Sequence, residues 1–499
     1  MALEDSRADV VVIGGGLAGL TAALDLAGTG MSVTLLESRA WLGGATCSFA
    51  RRGLTIDNGQ HAFLRCCTAY LGLLGRLDVL GLAGLQDRLD VTVLTPDGQA
   101  AIRRSQLPVP LHLAPALAGY RLLTRPERAR SAAVLLMLPL AGRSSAAGVT
   151  LGEWLRRRGQ RDAEMERLWE PLCSLATGLP AARADLSTAA STISAALLGS
   201  RDGADIGVPE VPLSRLHATA AGEALSQLGV GVLSGRRAAV IEAGPDRGFA
   251  IRHEAAASGT QQRRGRATIR ADGVVLAVPA WDAAAIAPAG LDATAACWAG
   301  LEPSPVISLH VVYEQAVTAL PFAVAAGSPI RWVMDKTVAA GLRTGQYLAA
   351  TVPDADRYLD LPASLLRAEL MAEIGRLFPA AADTAVLDVF VTRERRARVR
   401  QIPEARAARG SRGFPAGLAL AGAWTDVGWP DTMEGAVRSG QAAAAKLRGD
   451  LGAGQDASLW PGSGGKTAPG CAHGATEPGG DPALTVGGSA AVASLTPAL

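Results

Sequence analysis

The chain has 499 residues, enough for more than one domain and a large core, and it contains 48 basic and 46 acidic side chains. The formal net charge of +2 excludes the strongly basic balance of nucleic-acid-binding proteins, so we expect no nucleic-acid partner. The six cysteines form no C-x-x-C pair. Their spacing predicts a reducing, cytoplasmic setting and gives no indication of a bound metal.

The first predicted unit is a strand, a glycine turn and a helix. Val10–Ile13 is an apolar run typical of a buried strand, and it leads into G-x-G-x-x-G at Gly14, Gly16 and Gly19. The first glycine permits a tight turn, the second lets a pyrophosphate approach the backbone, and the third lets helix and strand pack closely. The pattern predicts phosphate binding at the helix N-terminus.

The second strand of this unit narrows the class of phosphate ligand. Ser32–Leu36 is a strand pattern that ends at Glu37, where a carboxylate can accept hydrogen bonds from both hydroxyls of an adenosine ribose. A dinucleotide is therefore expected. The stretch Val10–Ala27 is also apolar enough for a signal peptide or a membrane helix, but Asp25 and the three successive glycines weaken that alternative.

The middle of the chain alternates between helical and strand patterns. Pro108–Leu123 is apolar, and it is either a surface-seeking segment beside a substrate entrance or a core helix, the latter slightly favoured. Further patterns predict a capped helix over Thr150–Leu172, a hairpin over Gly231–Glu242, and strands over Ala271–Pro279, Val306–Tyr313 and, with exposed arginines, Val391–Arg400. The Gly/Ala/Pro/Ser-rich segment 449–499 is predicted to be a disordered tail.

A second strand-to-helix junction precedes that tail. Leu418–Ala421 is a short apolar strand followed by Gly422, a loop contains Asp426, and Thr432–Gly435 opens a helix. A helix start offers N–H donors to an electron-rich group such as the pyrimidine end of a flavin. The sequence thus predicts an adenosine site near its beginning and a second donor site near its end.

This combination resembles the FAD enzymes of the amine oxidase and phytoene desaturase superfamily. The resemblance implies an α/β fold in which a Rossmann-like FAD-binding domain is interleaved with an α+β substrate-binding domain. It implies FAD contacts at Gly14, Gly16, Leu17, Ala18, Gly19, Glu37, Ser38, Gly43, Gly44, Ala45, Asn58, Gly59, Gln60, His61, Val240, Gly422, Asp426, Thr432, Met433 and Glu434.

Two departures from the superfamily pattern are informative. Ala45 follows the glycine pair where many members have arginine, so an arginine contact to FAD is lost there. The strand Val306–Tyr313 has no lysine, whereas amine oxidases place a flavin-linked lysine on the matching strand. The second departure weighs against amine oxidation.

Longer strings narrow the resemblance. The strings are DNGQH at Asp57–His61, FLRCCTAY at Phe63–Tyr70, VPLHLAPAL at Val109–Leu117, ADIGVPEVPLSRLH at Ala204–His217 and GAWTDVGWPDTMEGAVRSG at Gly422–Gly440. Together they are similar to hydroxysqualene dehydroxylases, also called squalene-associated FAD-dependent desaturases, of squalene and hopanoid biosynthesis. The resemblance spans residues 8–448 and implies that reduced flavin donates hydride while the allylic hydroxyl of hydroxysqualene leaves as water, giving squalene.

The resemblance also implies a domain division. The FAD-binding domain would comprise residues 8–95, 221–300 and 413–448, and the substrate domain residues 96–220, mainly helical, and 301–412, mainly sheet. The tail 449–499 lies outside the resemblance.

The departing hydroxyl needs an acid, and the developing allyl cation needs an apolar, electron-rich pocket. His61, Asp335 and Asp426 are the candidate acids. The alternatives are a structural hydrogen-bonding role for His61, the end of a strand for Asp335, and a ribityl or pyrophosphate contact for Asp426. The candidate pocket aromatics are Tyr313, Trp332 and Trp429, for each of which core packing is the plainer interpretation.

Two alternatives and several partners stay open. A carotenoid-type desaturase shares the expected fold but transfers hydride in the opposite direction, and a flavin-fold escort protein would bind prenyl lipids without turnover. Electrons could come from NAD(P)H through the same cleft or from a separate reductase, and upstream squalene-pathway enzymes are expected partners. The apolar Val109–Leu123 stretch and the insoluble substrate predict peripheral contact with the inner face of the cytoplasmic membrane.

Overall fold

The computed structural model describes residues 6–143, 148–244, 248–255, 266–410 and 414–452. Its strands are β1 (Ser6–Ile13), β2 (Val33–Glu37), β3 (Ser48–Arg51), β4 (Leu54–Asp57), β5 (Phe63–Leu64), β6 (Asp90–Thr95), β7 (Gly98–Arg103), β8 (Ile206–Gly207), β9 (Gly231–Ser234), β10 (Arg236–Ala243), β11 (Phe249–Ala255), β12 (Ala267–Leu276), β13 (Pro303–Tyr313), β14 (Phe322–Ala325), β15 (Trp332–Asp335), β16 (Gln346–Pro353), β17 (Val386–Val399) and β18 (Leu418–Leu420).

Helices flank these strands. They are α1 (Leu17–Ala27), α2 (Thr68–Arg76), α3 (Ala114–Ala118), α4 (Arg125–Gly142), α5 (Leu151–Arg156), α6 (Asp162–Glu164), α7 (Glu170–Thr177), α8 (Leu186–Leu198), α9 (Ala220–Gln227), α10 (Ala280–Ile286), α11 (Asp292–Ala299), α12 (Thr337–Ala340), α13 (Ala363–Leu377) and α14 (Met433–Gly452). Within the described ranges, none of them is long and apolar enough to cross a membrane.

The first sheet has seven strands drawn from distant parts of the chain. Its order is β10-β11-β12-β1-β2-β9, and β18 pairs with the second half of β12 beside β11. β12, β1, β2, β9 and β18 are parallel, so their carboxyl ends meet at one edge. Helices α1 and α14 pack together on this sheet, in one hydrophobic core with β1 and β2. The predicted Rossmann-like α/β fold is confirmed.

The second sheet is built on a different core. Its order is β17-β13-β16-β15-β14-β6-β7, antiparallel except where β14 meets β6. The buried residues of α4, α5, α7 and α8 share one hydrophobic core with Phe322 of β14 and Trp332 of β15. Helix α13 contributes to a separate core with β13 and β16. β6 (Asp90–Thr95) belongs to this second sheet, although residues 8–95 were expected in the FAD-binding domain. Of the strands in that range, β1 and β2 belong to the first sheet.

Two predicted elements differ in the structure, and one is confirmed over its alternative. Gly231–Glu242 is not a hairpin, because β9 pairs in parallel with β2 whereas β10 pairs with β11 at the opposite end of the sheet. The helix predicted over Thr150–Leu172 stops at Arg156 and restarts at Asp162. Val10–Ala27 is a strand and a helix of the first sheet unit, which excludes a membrane helix there.

Two further segments also depart from expectation. Pro108–Leu123 is not one core helix: it contains the five-residue α3, and the side chain of Leu111 is 54% exposed. Helix α14 continues to Gly452, past the predicted start of the tail at residue 449. The rest of the predicted tail, 453–499, lies outside the described residues.

Candidate active site

A cleft of about 840 Å³ opens at the carboxyl edge of the first sheet. The residues that end or follow β1, β2, β12 and β18 line it, among them Gly14, Glu37, Val278 and Gly422. Ligands of open α/β sheets bind at this edge because the strand ends and helix starts converge there. The cleft is therefore where the two predicted donor sites meet.

The glycine turn forms one wall of the cleft. A Cβ atom on Gly19 would lie 1.9 Å from the carbonyl oxygen of Gly14, so only glycine lets α1 pack this closely on the turn. A Cβ on Gly16 would meet nothing nearer than the Cα of Gly44, at 3.9 Å. The space in front of Gly16, at the start of α1, is thus open to a ligand that accepts hydrogen bonds from the helix N-terminus.

Glu37 is positioned by backbone donors. Its Oε2 accepts from the amide of Gly15 at 2.7 Å and its Oε1 from the amide of Arg39 at 2.7 Å. The side chain is nearly fully buried and lines the cleft, as does Ser38. These bonds hold the carboxylate beside the glycine turn, where a ribose would follow a bound pyrophosphate.

The start of α14 forms the opposite wall. Thr432 and Met433 line the cleft there. The loop before them is fixed from two sides, since the amide of Gly422 donates to Ser439 Oγ at 2.9 Å and Trp424 Nε1 donates to the carbonyl of Val278 at 2.9 Å. The α14 N-terminus therefore faces the cleft from a rigid frame.

Several buried polar atoms of the lining have no partner within the part of the chain that the structure describes. They are both amide atoms of the Gln60 side chain, Nδ1 of His61 and Nε1 of Trp332. Burying such atoms without a hydrogen bond is costly, so this cluster indicates a polar ligand in the cleft. Together with the open glycine turn and Glu37, it fits a dinucleotide with a heteroaromatic ring.

His61 lies at the junction between the cleft and a buried ion pair. Lys336 Nζ is 3.0 Å from Asp57 Oδ2, and both side chains are nearly fully buried. Burial lowers the pKa of His61 to about 4, with Asp57 opposing and Arg398 and Lys336 adding to the effect. The imidazole is therefore neutral near pH 7, and His61 does not begin a reaction as an imidazolium acid.

Arg398 and Asp431 are among the charged residues of the lining that were not predicted from the sequence. Asp431 Oδ2 accepts from the amide of Val399 at 2.7 Å, and burial raises the pKa of this carboxyl. Arg398 Nη1 donates to the carbonyl of Thr177 at 3.4 Å, and within the described ranges it has no carboxylate at ion-pair distance. Desolvation lowers the pKa of its guanidinium. Asp431 directly precedes Thr432, and that position in the sequence was the available signal.

Three predicted acidic residues do not reach the cleft. Asp335 caps α12 through the amide of Thr337, at 2.9 Å, and accepts from Gln346. Asp426 is exposed on its loop and accepts from the amide of Gly428. The carboxylate of Glu434 accepts a hydrogen bond from the amide of Tyr70 at 2.7 Å, and so it caps α2 and not its own helix.

Of the three aromatic residues predicted to line the substrate pocket, one lines the cleft and two do not. Trp332 lines the cleft, together with Phe322 and the half-exposed Leu175. Tyr313 is fully buried in the core beneath α13, and the ring of Trp429 packs against the guanidinium of Arg438 outside the cleft lining. Core packing is therefore the structural role of Tyr313.

Some of the remaining predicted FAD contacts line the cleft and others do not. The cleft lining includes Leu17, Ala18, Gly43, Gly44 and Ala45. Arg236, Arg237 and Ala238 line the cleft instead of Val240, which follows an irregularity in the pairing of β10 with β11. Asn58 lies in a neighbouring surface pocket, and Gly59 forms the left-handed turn, φ 83°, before Gln60.

The chain belongs to the flavin-containing amine oxidoreductase family, whose model matches residues 17–448. The cleft at the sheet edge and the membership of this family identify the class of protein, which is a flavin-dependent oxidoreductase. The donor set of the cleft fits such a cofactor, because the start of α1 suits the phosphates and the start of α14 an electron-rich ring.

Among known proteins, the chain is similar to hydroxysqualene dehydroxylase of Rhodopseudomonas palustris, with 28% identity over 460 residues, 87% of this chain and 97% of that protein. A second hydroxysqualene dehydroxylase, of Sinorhizobium fredii, is 34% identical over 35% of this chain and 38% of its own length. The resemblance recognised in the sequence is confirmed. Zeta-carotene desaturase of Solanum lycopersicum is 29% identical over 33% of this chain and 30% of that protein.

Solved structures agree on the fold. A triple mutant of putrescine oxidase superposes with a TM-score of 0.66 at 18% identity, over 89% of this chain and 99% of that chain. Reduced UDP-galactopyranose mutase superposes with a TM-score of 0.60 at 14% identity, over 90% of this chain and 94% of that chain. At these identities the likeness concerns the fold alone.

Proposed function

We propose that this chain is an FAD-dependent hydroxysqualene dehydroxylase, which removes the allylic hydroxyl of hydroxysqualene to give squalene. The observation that carries the proposal is the joint presence, in one cleft, of an apolar aromatic wall and a buried carboxyl with a raised pKa. The similarity to the Rhodopseudomonas palustris enzyme supports it, because that similarity extends over 97% of the relative.

The reaction replaces a C–O bond by a C–H bond. Hydride is added to the allylic carbon, one proton joins the departing hydroxyl, and water leaves, so the substrate is reduced by two electrons. A reduced flavin held between the start of α1 and the start of α14 would supply the hydride, and NAD(P)H or a separate reductase would restore its electrons. The protein must supply the proton and an environment that tolerates positive charge on the allyl group.

Asp431 is the residue we assign to the proton. Burial raises the pKa of its carboxyl, so it retains a proton at a higher pH than an exposed aspartate does. Neither Asp426 nor Asp335 lines the cleft. Trp332 and Phe322 supply an aromatic wall, and aromatic rings can stabilise a nearby cation. Leu175 extends the apolar lining and helps to exclude water.

The direct test is turnover of the purified, flavin-loaded protein with dispersed hydroxysqualene and a reductant, with squalene measured by gas chromatography. Squalene formation that depends on reductant supports the proposal. A protein that contains flavin but leaves hydroxysqualene unchanged contradicts it. A protein that retains no flavin after reconstitution would instead favour the escort alternative.

A carotenoid-type desaturase is the second candidate, and the partial match to zeta-carotene desaturase favours it. The two reactions run in opposite redox directions. Desaturation needs oxidised flavin and an electron acceptor, whereas dehydroxylation needs reduced flavin. Anaerobic incubation with reductant and hydroxysqualene, compared with incubation with an acceptor and a carotenoid precursor, separates them by product.

A further inference from the structure

Helix α4 presents an apolar face to solvent. Its inner side chains, Val134, Leu138 and Ala141, are buried in the core shared with α8. On the outside, Leu136, Met137 and Leu140 are 55%, 39% and 70% exposed. The second half of α4 therefore has apolar side chains on both sides, and its outer side is an exposed apolar patch of the kind that marks an interaction surface.

The exposed residues follow helical spacing. Ala129, Ala133, Leu136, Met137 and Leu140 recur at intervals of three and four and therefore form one stripe along the helix. Such a stripe lies parallel to the surface that it contacts. It suits a flat apolar layer better than a single pocket.

The charges at the ends of this stripe identify the occupant. Arg125 begins α4 and Arg143 follows it, so the stripe has an exposed arginine at each end. Neither forms an ion pair within the described ranges, and nor does the nearby exposed Arg121. Residues 98–150 contain seven arginines, of which three are ion-paired with carboxylates elsewhere in the chain, and only one acidic residue, Glu127. Apolar side chains flanked by cations match the acyl boundary and the anionic headgroups of a lipid bilayer.

The same helix is connected to the cleft. The buried residues of α4 and the cleft residues Phe322 and Trp332 belong to one hydrophobic core. The chain just before α3 adds more exposed apolar side chains, with Leu107 45% and Leu111 54% exposed. A surface that docks through α4 would therefore lie on the domain that forms the aromatic wall.

We propose that the outer face of α4 docks on a bilayer that carries anionic lipid, with Leu136, Met137 and Leu140 of the stripe at the acyl boundary and Arg125 and Arg143 at the headgroups. Only the reason for docking, which is access to a substrate dissolved in lipid, rests on the proposed function. Binding itself needs no turnover.

The test is flotation of the flavin-loaded protein with vesicles of equimolar phosphatidylcholine and phosphatidylglycerol. The wild-type chain should float, and pure phosphatidylcholine or high salt should weaken its binding. Leu136→Glu with Leu140→Glu should lower the partition coefficient by roughly tenfold or more, because both side chains lose their favourable transfer. The matched control is Leu365→Glu, at a position 60% exposed on α13, which packs on a different core and should bind like the wild type.

Three results would overturn the proposal. They are failure of the wild type to float, unchanged flotation of the double variant with normal far-UV circular dichroism, and an equal loss for Leu365→Glu. A lipid-free dimer that the double variant converts to a monomer would assign the face to a second copy of this chain. Turnover of detergent-dispersed hydroxysqualene is measured in parallel, so that failure of docking and failure of the proposed reaction are distinguished.

Discussion

Lys336 and Asp57 form an ion pair in the interior, with Nζ 3.0 Å from Oδ2 and both side chains nearly inaccessible to solvent. Lys336 lies just after β15 of the second sheet, and Asp57 ends β4 in the chain that leads to His61. The pair therefore ties the two halves of the molecule together behind the cleft. Asp57 is further fixed by Ser48 Oγ and the amide of Leu213, at 2.7 and 2.9 Å.

Removal of one partner should be more harmful than removal of both. Lys336→Met leaves a buried carboxylate without its cation, and we expect a loss of about 3–5 kcal/mol in the free energy of unfolding. In Lys336→Met combined with Asp57→Asn, the amide can still accept from Leu213, so the double variant should recover part of that loss. Urea unfolding of the wild type, the two single variants Lys336→Met and Asp57→Asn, and the double variant measures the coupling energy between the two side chains. Additive losses would show that the pair contributes nothing of its own.

Acidification should destabilise the protein through its buried histidines. Burial lowers the pKa of His61 to about 4 and those of His217 and His310 to about 3, from 6.5. Between pH 6.5 and about 4 the unfolded chain binds protons that the folded chain excludes. Stability should therefore be full above pH 6.5 and fall as the pH decreases through this window.

The urea midpoint measured across this window tests the expectation. The slope of unfolding free energy against pH is proportional to the number of protons that the unfolded chain binds in excess of the folded chain. His217→Gln should lower that number by about one, because it removes one of the histidines that stay neutral in the folded state. The glutamine amide oxygen can still accept from the hydroxyl of Tyr70, which contacts His217 Nε2 at 2.8 Å. An identical slope in the variant would mean that His217 is not excluded from protonation in the folded state.

Close packing of α14 on α1 should be sensitive to a single methyl group. A Cβ on Gly440 would lie 2.3 Å from the carbonyl oxygen of Ala18, which lines the cleft. Gly440→Ala should therefore cost about 1–3 kcal/mol and weaken flavin retention, measured by thermal unfolding and by the flavin-to-protein ratio. Gly449→Ala on the same helix is the control, because nothing lies within 4 Å of its Cβ. That substitution should be neutral or stabilising, and equal losses in both variants would contradict the packing argument.

Local sequence patterns predicted the parts of the site that local backbone geometry determines. The glycine turn, Glu37 at the end of β2 and the helix start at Thr432 each depend on a few adjacent residues. Register and side-chain direction could not be read in the same way. Val391–Arg400 was expected to expose its arginines, but an irregular pairing of β17 with β13 near Val306 precedes Arg398, which lines the cleft.

Long-range pairing explains the other errors. A turn-like Ser-Gly-Arg between two strands indicates a hairpin, yet β9 completes the parallel edge beside β2. Glu434 was expected at the cofactor because it lies in the helix start, but its side chain caps α2, hundreds of residues away in the chain. Such partners are determined by tertiary packing, which leaves no periodic trace in one sequence.

Asp431 should act in turnover and Asp426 should not. Asp431→Asn removes the proton donor of the cleft, and we expect kcat for hydroxysqualene to fall by about 10²–10⁴-fold. Asp426→Asn changes an exposed side chain outside the cleft lining and should leave kcat unaltered. Because burial raises the pKa of Asp431, turnover in the wild type should decline as the pH rises through that pKa and the proton is lost. A normal rate in Asp431→Asn would assign the proton to another group.

Arg398 should influence the redox properties of the bound flavin. Its guanidinium lines the cleft and has no carboxylate at ion-pair distance among the described residues, so it is a nearly uncompensated positive charge in a partly desolvated site. A cation stabilises the added negative charge of a reduced cofactor, so Arg398→Gln should lower the midpoint potential of the flavin. Arg395→Gln, at an exposed position of the same strand outside the cleft lining, is the matched control and should shift the potential less, because solvent screens its charge. Dye-coupled potentiometry of the three proteins measures the shift. An unchanged potential in Arg398→Gln, with flavin still bound, would show that this charge does not act on the cofactor.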